Sequence, residues 1–538
     1  MPGVPVEISD ARYESLDRWY DCKSPTSSLA RTVKRSKQNA AVSRGVAGSD
    51  RLWAPRLAQE SRLQQLEDSL ARHRVEGEAV EPEIERAVLL GALNRRQDAQ
   101  AAFIDILRRA PANFSALNEF GALLTEMGAI DAACRVYSEA IVHHPANPMG
   151  HVNLANLLFR ARRHAEAREH YETALRIDPD HAQAHQGLGA VLSDIGDRAG
   201  ARNHFQKGFR GNAISSLPYR GTKPPVALLQ LVSSGGGNIP TAAFLDDGTF
   251  LTSVIVADYL DPSIPLPPHQ LIFNAIGDAD LCEPALEAAA GLITRTSAPV
   301  INDPRAVMKT GRISNARRLG AIAGVVAPRT IALARDLLAG PDGLATIADH
   351  RFAFPLLLRS PGYHTGRNFI LVASAAELAA AAASLPGSDL LVIEYLDARG
   401  KDGNARKYRV MMIAGQIYPL HLAISRQWKV HYFTSDMADQ PDHRLEEASF
   451  LGDMPAALGD KAIAALEQIR DALGLDYGGI DFGLGQNGDL LLFEANATMV
   501  ITPPDPDERW AYRRAAIGKI LDAVVAMIMQ KSTQAGRA

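Results

Sequence analysis

Apolar and polar positions divide the chain into three kinds of sequence. From about Ala58 to Arg74, leucines recur three and four positions apart among polar residues, which predicts an amphipathic helix. From about residue 80 to 213 helix-length stretches recur at fixed phase. Pro111, Pro145 and Pro179 lie 34 positions apart, each just after an apolar helical run. Small residues hold one phase (Ala87, Gly121, Ala155, Gly189) and a second phase (Ala99, Ala133, Ala167, Ala201), with Phe103, Tyr137, Tyr171 and Phe205 beside the latter. A single helix pair cannot bury its apolar face alone, and a small/large alternation in register is what stacked pairs require. After Gly211 the stretch RGNAISSLPYRGTKPP has linker composition. Beyond it, β-rich runs (VALLQLV, LIFNAIGD, PLLLRS, LLVIEYL, YRVMMIAGQIYPL, LLLFEAN) alternate with helical ones such as SAAELAAAAASL and DKAIAALEQIRDAL, which predicts an α/β region.

Length then sets the number of units. A chain of 538 residues exceeds the roughly 250–300 that one core sustains, so two or three folded units are expected. The expected division is a tail at 1–55, a helical region at 56–213, a linker at 214–223, an α/β domain at 224–300, a larger domain at 301–530 and a tail at 531–538. From Lys23 to Ser49 six basic residues and no acid stand among small polar ones, and this composition predicts an unstructured segment. Net charge is -4, which argues against a polybasic nucleic-acid binder. Cys22, Cys134 and Cys282 are too few and too far apart for a disulfide framework or a zinc site. There is no apolar run of membrane-spanning length and no basic-then-apolar leader, so a soluble, cytoplasmic protein without membrane partners is expected.

The candidate chemistry lies in the last 240 or so residues. LDYGGIDFGLGQNGDLLLFEANAT reads as two strands joined by a Gly-Gln-Asn-Gly turn. Asp481 lies on the first strand; Glu494 and Asn496, two apart on the second, share a face. Two carboxylates and an amide oxygen are the hard ligands Mg²⁺ prefers. Gly235, Gly236 and Gly237 follow the first β-run and form a candidate substrate loop, although an ordinary turn accounts for them equally well. Arg426, Lys429 and His431, in HLAISRQWKVHYF, form a candidate clamp for an acidic substrate; a plain surface hairpin is the alternative. Arg312, Arg317 and Arg318 read either as phosphate contacts or as a solvated helix face. No Ser-His-Asp or Cys-His arrangement is apparent.

Two resemblances follow from these motifs. The small/aromatic alternation at about 80–213 resembles the tetratricopeptide repeat, whose concave groove binds proteins or peptides; Asn118, His151, Asn153 and His185 are the candidate groove contacts, with Tyr137 and Tyr171 in the core. The ordered set VINDP, GVVAPRT, FPLLLRSPGYHTGRNFILV, VIEYLDA, KYRVMMIAGQIYPLHL and GGIDF…FEANAT, over about 224–530, resembles the ATP-grasp superfamily, in particular carboxylate–amine ligases of the glutathione synthetase and ribosomal-protein glutamate ligase group. That likeness implies an α/β pre-domain followed by two α+β lobes holding ATP. By the same likeness Asn302 and Pro304 mark the domain entry, and Arg359 stands where the family has a phosphate-binding lysine. Arg312, or else Lys309, stands for the first such lysine. Gly362 and Gly366 match the flexible phosphate loop, Glu394, Tyr395 and Leu396 the adenine hinge, and Arg409 the γ-phosphate arginine. Asp481, Glu494 and Asn496 match the Mg²⁺ ligands. Arginine keeps the charge of the two lysines but changes its geometry.

The resemblance implies an ATP- and Mg²⁺-dependent ligase that activates a small-molecule or peptide carboxylate as an acyl phosphate and passes it to an amine, with the repeats recruiting a protein partner. A repeat adaptor whose grasp domain binds nucleotide without turnover, and a small-molecule kinase, remain as alternatives.

Overall fold

The computed structural model describes residues 54–72, 80–363 and 366–534; the basic N-terminal segment lies outside them. Contacts divide the described chain into two units: residues 54–230 with 245–270, and residues 231–244 with 271–534.

The first unit is dominated by helices. α1 (Ala54–Arg72) precedes four helix pairs: α2 (Glu81–Ala92) with α3 (Arg96–Arg109), α4 (Phe114–Glu126) with α5 (Ile130–His143), α6 (Pro148–Arg160) with α7 (His164–Ile177), and α8 (Ala182–Asp194) with α9 (Arg198–Phe209). Each of the turns opening α4, α6 and α8 supplies its own cap. Asn113 accepts from Ala116 N, Asn147 from Met149 N and His181 from Ala184 N, satisfying amides that the helix itself leaves free. The expected packing is present: Ala87, Ala99, Ala133, Ala155 and Ala167 are fully buried, as are Phe103 and Tyr171. Gly121 shows why one phase must be small, because a Cβ there would lie 2.4 Å from the Tyr137 ring.

The stretch read as a linker is not free chain. β1 (Ile214–Ser216) pairs antiparallel with β3 (Phe250–Val256). Arg220 is almost wholly buried: it donates to Glu126 (2.9 Å), Asp247 (2.6 Å) and the Ala92 carbonyl (3.2 Å), fastening the segment to the repeats. Tyr259 stacks on Phe209 at 5.4 Å and covers the end of the last helix. β2 (Val226–Val232) is apolar along nearly its whole length, as a strand covered on both faces must be.

The second unit contains β4 (Leu271–Asn274) and β5 (Val300–Ile301), paired in parallel around α10 (Glu283–Leu292). Two further sheets follow. In the first, β7 (Thr330–Ala334), β10 (Asp389–Glu394), β8 (Leu356–Arg359) and β9 (Phe369–Val372) lie side by side in that order, all antiparallel. Leu356, Leu358, Leu390 and Val392 turn one face into a core with Phe352 and Leu378. Alternation therefore sends Arg359 and its cross-strand neighbour Leu391 to the opposite face.

The second sheet has the order β12 (Gln416–Ser425), β11 (Ala405–Ile413), β13 (Tyr477–Leu484), β14 (Leu490–Asn496) and β6 (Val325–Val326), antiparallel except for the last pair. Two longer helices of this unit are α11 (Arg312–Leu319) and α12 (Pro441–Gly452); on one face of the sheet Tyr408 stacks on Phe482 and meets Phe450 of α12. α13 (Asp460–Leu473) and α14 (Ala511–Gln534) also pack on this sheet, and α14 carries helix past the expected start of the C-terminal tail at 531.

Candidate active site

The opposite face of the second sheet is polar. Cross-strand pairing aligns His421, Arg409, Asp481 and Glu494 in one row across four strands. The register shifts beside the row twice, between Arg409 and Val410 and between Asp481 and Phe482. Bulges bend a strand and re-aim its side chains, and both fall where the charges are.

Arg409 donates two bonds to Asp481, Nε to Oδ1 at 2.5 Å and Nη2 to Oδ2 at 2.8 Å, and Lys407 Nζ reaches Oδ2 at 3.0 Å. The Asp481 side chain is only 5% exposed. Burial opposes its ionisation, but Arg409 and Lys407 outweigh burial and hold its carboxyl far below the usual carboxylate range. Glu494 is controlled in the same way: burial pushes it up, Arg312 and Arg359 pull it down, and it settles at about 2. Both carboxylates are therefore charged at neutral pH.

Arg312 enters this site because of its neighbours on α11. Asn315 donates to the Ala495 carbonyl (2.6 Å) and the Thr310 carbonyl (3.0 Å), pinning the helix to β14. Arg318 braces Asn315 (2.8 Å) and the Ala472 carbonyl (2.8 Å). With the helix so placed, Arg312 Nη2 meets Glu494 Oε1 at 2.6 Å. The solvated-face reading of the three arginines holds for Arg317 alone, and Lys309 is exposed.

The cleft beside Arg312 has a volume of about 140 Å³, with Asp278 and Asp280 on one wall and Pro361, Gly362, Tyr363 and Leu391 on another. Burial raises the Asp280 carboxyl even though the Arg312 backbone N–H donates to it at 3.0 Å. Cys282 donates its thiol to the Gly236 carbonyl at 3.1 Å, which binds the glycine turn to the Asp278 turn. Arg359, at the end of β8, donates to the Tyr363 carbonyl at 2.5 Å and lies over the Phe369 ring. Its pKa is lowered to about 10, first by burial and then by Arg312, so it remains a cation. Gly362 and Gly366 both have positive φ.

Other candidates are placed differently. Glu394 is exposed at the end of β10 and accepts from Arg329 N at 3.1 Å, with Tyr395 and Leu396 half-buried after it. Asn302 is a buried clamp in left-handed conformation (φ 58°): its amide exchanges both hydrogen bonds with Tyr477 (2.8 and 2.9 Å), and Pro304 is buried at the start of the following short helix. Asn496 donates to Glu494 at 2.9 Å, while its oxygen accepts from Thr498 N and Oγ1. Arg426 is exposed and turned to Asp436, so it does not join Lys429 in a clamp.

The donor set suits Mg²⁺ in kind, since two ionised carboxylates and an amide oxygen stand in one region, but the amide oxygen is committed to Thr498. No cluster of three or more His, Cys, Asp or Glu side chains able to hold a metal is formed among the described residues. Sequence reading missed Lys407, Asp278, Asp280 and His421. Lys407 was legible, because it sits two positions from Arg409 on a strand and must share its face; the aspartates depend on a fold contact that no spacing encodes.

The expected groove residues also need correction. Asn118, His151 and His185 are buried, and Asn153 donates to Asn118 at 2.7 Å. His151 and His170 face each other Nδ1 to Nδ1 at 3.0 Å, and His185 and His204 at 2.8 Å. Asn118, His151 and His185 thus tie helices together instead of facing a groove, while Asn153 stays half-buried beside them.

Residues 84–148 and 148–211 each match a family model described as tetratricopeptide repeat. The chain is 30% identical over 117 residues to the heat-shock protein cognate co-chaperone sgt12 of Aspergillus fumigatus, covering 21% of this chain and 34% of that protein. It is 33% identical over 89 residues to the inactive TPR repeat-containing thioredoxin TTL3 of Arabidopsis thaliana, covering 16% and 13%. The chain thus spans about a third or less of the length of these curated relatives. Among solved structures, MamA from Desulfovibrio magneticus RS-1 is 26% identical, covering 30% of this chain and 89% of that one, with a TM-score of 0.26. No helix among the described residues is long and apolar enough to cross a membrane.

Proposed function

We propose that the chain joins a tetratricopeptide-repeat interaction module to an ATP-grasp-like catalytic unit that uses Mg-ATP to activate a carboxylate for transfer to an amine. Such repeats serve as protein-interaction modules, so the solenoid supplies the partner-recruiting half of this reading. The observation that carries the catalytic half is the meeting of Asp481, Glu494, Arg409, Arg312 and Arg359 in one charged cluster, whose Arg312 also lines a cleft with Gly362, a glycine of positive φ.

Asp481 and Glu494 stand side by side in the row, flanked by Arg409 and Arg312, so a polyphosphate alone would meet repulsion from Glu494, Asp278 and Asp280. Asp481 and Glu494 would hold Mg²⁺, joined by Asn496 once its oxygen is released by Thr498, and the ion would supply charge neutralisation to the phosphates. Binding would require Arg409 and Lys407 to exchange part of their hold on Asp481 for phosphate oxygen, and Arg312 to do the same at Glu494. Those cations then lie where charge develops as the γ-phosphoryl moves in line to the substrate carboxylate. The carboxylate oxygen forms the new P–O bond and ADP leaves; an amine then attacks the acyl carbon and expels phosphate. The chemistry asks positioning of these side chains and no protein nucleophile, which suits buried Cys282 in its bond to Gly236.

A substrate-screened ADP-release assay on the full chain, with product mass, tests this. ADP and phosphate with a condensed product support ligation. A phosphorylated product would replace ligase with kinase, and nucleotide binding without turnover under every substrate would leave an adaptor.

A further inference from the structure

The third and fourth helix pairs of the solenoid are each joined by two imidazoles. His151 of α6 faces His170 of α7 with the two Nδ1 atoms 3.0 Å apart, and one repeat later His185 of α8 faces His204 of α9 at 2.8 Å. In the second helix pair the same two positions hold Leu117, buried, and Val136, half-buried, so hydrocarbon is sufficient to close a pair there. The surrounding bonds fix which nitrogen carries each proton. His185 Nε2 lies 2.9 Å from the Pro179 carbonyl, and a carbonyl can only accept, so the hydrogen sits on that Nε2. Neutral His185 therefore offers Nδ1 as an acceptor, and the hydrogen between the two rings belongs to His204. His151 repeats the arrangement through the backbone of Pro145, which assigns the hydrogen of its pair to His170. His151 and His185 are buried, whereas His170 and His204 are half-buried.

Each pair can take up one proton and keep its bond, because Nε2 of His170 or His204 accepts it while Nδ1–H goes on donating to the inner ring. A second proton must go to Nδ1 of His151 or His185, which sets two N–H donors and two positive charges face to face. The surroundings oppose charge on these rings. Burial lowers His151, His170 and His204; His170 and Arg176 lower the first further, and His185 and Lys207 the last. Glu166 and Glu169 beside His170, and Glu172 and Asp197 beside His204, pull the other way without prevailing. His181, capping α8, is lowered by burial and by His185 against Asp178. We propose that the two imidazole pairs are proton-operated latches: in neutral solution they hold α6 to α7 and α8 to α9, and the second proton on a pair releases it. The second helix pair, with Leu117 and Val136 in those places, stays closed. Release at the last pair reaches the following segment, since Phe209 of α9 stacks on Tyr259. The latches lie wholly within the repeats and are independent of the nucleotide reading.

Amide hydrogen exchange of the full chain, read by mass spectrometry at about pH 7.5 and about pH 5 and corrected for the intrinsic rate, tests the latches. Exchange in residues 148–209 should quicken in acid by about tenfold or more, while residues 114–143 stay within about threefold or slow, because Glu119 gains stability there. Giving both pairs the side chains of the second (His151→Leu, His170→Val, His185→Leu, His204→Val) should bring 148–209 within about threefold as well. If that variant does not fold at neutral pH, His170→Gln with His204→Gln decides instead. Glutamine supplies an N–H donor and takes no proton, so the acid response should again shrink to about threefold or less. Acid-insensitive exchange in wild type, or an undiminished response in the variant that folds, refutes the latches. Nitrogen-15 spectra of the histidine-labelled chain at about pH 7.5 give a reading that does not depend on stability. Nε2–H is expected at His151 and His185 and Nδ1–H at His170 and His204; the opposite tautomers would overturn the proposal.

Discussion

Two sets of buried polar side chains, one in each unit, are held in opposite ways. In the repeats, polar groups meet as neutral pairs that satisfy one another: His151 with His170, His185 with His204, Asn118 with Asn153. On the polar face of the second sheet, full charges are crowded into a single row and kept ionised by each other. A neutral pair costs little to bury and holds helices in place. A buried charge row is costly to assemble and is weak evidence of added stability, so its presence beside a cleft favours a chemical role.

That contrast can be broken first at Asp481. Asp481→Ala leaves Arg409 and Lys407 facing each other without a counter-charge and should cost about 3–5 kcal/mol, read by denaturant unfolding of the full chain. A loss under about 1 kcal/mol would mean that water solvates the row and that the charges are not tightly coupled.

A steric test belongs to the solenoid. Gly121→Ala puts a methyl group into the Tyr137 ring and should destabilise by about 1–3 kcal/mol. In a Tyr137→Leu background the same change should cost clearly less, and additivity of the two substitutions would show that they do not share this contact.

Acid distinguishes the units further. Burial lowers His151, His170, His181 and His204, with His170 adding to the first and His185 to the last. A base whose folded pKa is depressed costs stability once the unfolded chain can protonate, so this stability is present above about pH 6.5 and falls below it. Glu119 acts the other way: burial raises it to about 7, so its contribution is present in acid and is lost as pH rises from about 4.5 towards 7. In the repeats, four imidazoles against one carboxyl predict a net fall in melting temperature from pH 7 to 5. Glu119→Gln should make that fall steeper and His170→Gln shallower. A flat profile in all three proteins would remove the protonation argument.

The smallest effect is expected at Arg426, exposed and at 3.7 Å from Asp436; Arg426→Ala should stay within about 0.5 kcal/mol and leave nucleotide binding unchanged. A loss of nucleotide binding of about tenfold or more would restore the clamp that the sequence suggested and the geometry separates.

The repeats were legible because a helical period and a small/large alternation report packing directly. Even there, the side chains beside the packing positions were misplaced, since period alone does not tell whether His151 points to a groove or to His170. For the charge row, alternation put Glu494 and Asn496 on one face, but it was the register that brought Asp481 opposite Glu494, and register depends on both partner strands. Arg312 is further still from sequence logic. Its position follows from Asn315 and Arg318 bracing a helix against residues about 150 to 180 positions away in the chain.

Calorimetric titration of Mg-ATP, with and without Mg²⁺, into wild type and Glu494→Gln most directly tests the claim that the row is a nucleotide site. The account predicts Mg²⁺-dependent binding by wild type, weakened about tenfold or more in Glu494→Gln. Both are titrated at a temperature at which both are folded, since loss of the charge beside Arg312 also lowers the melting temperature. Equal binding by the two proteins, or none by wild type, would contradict it.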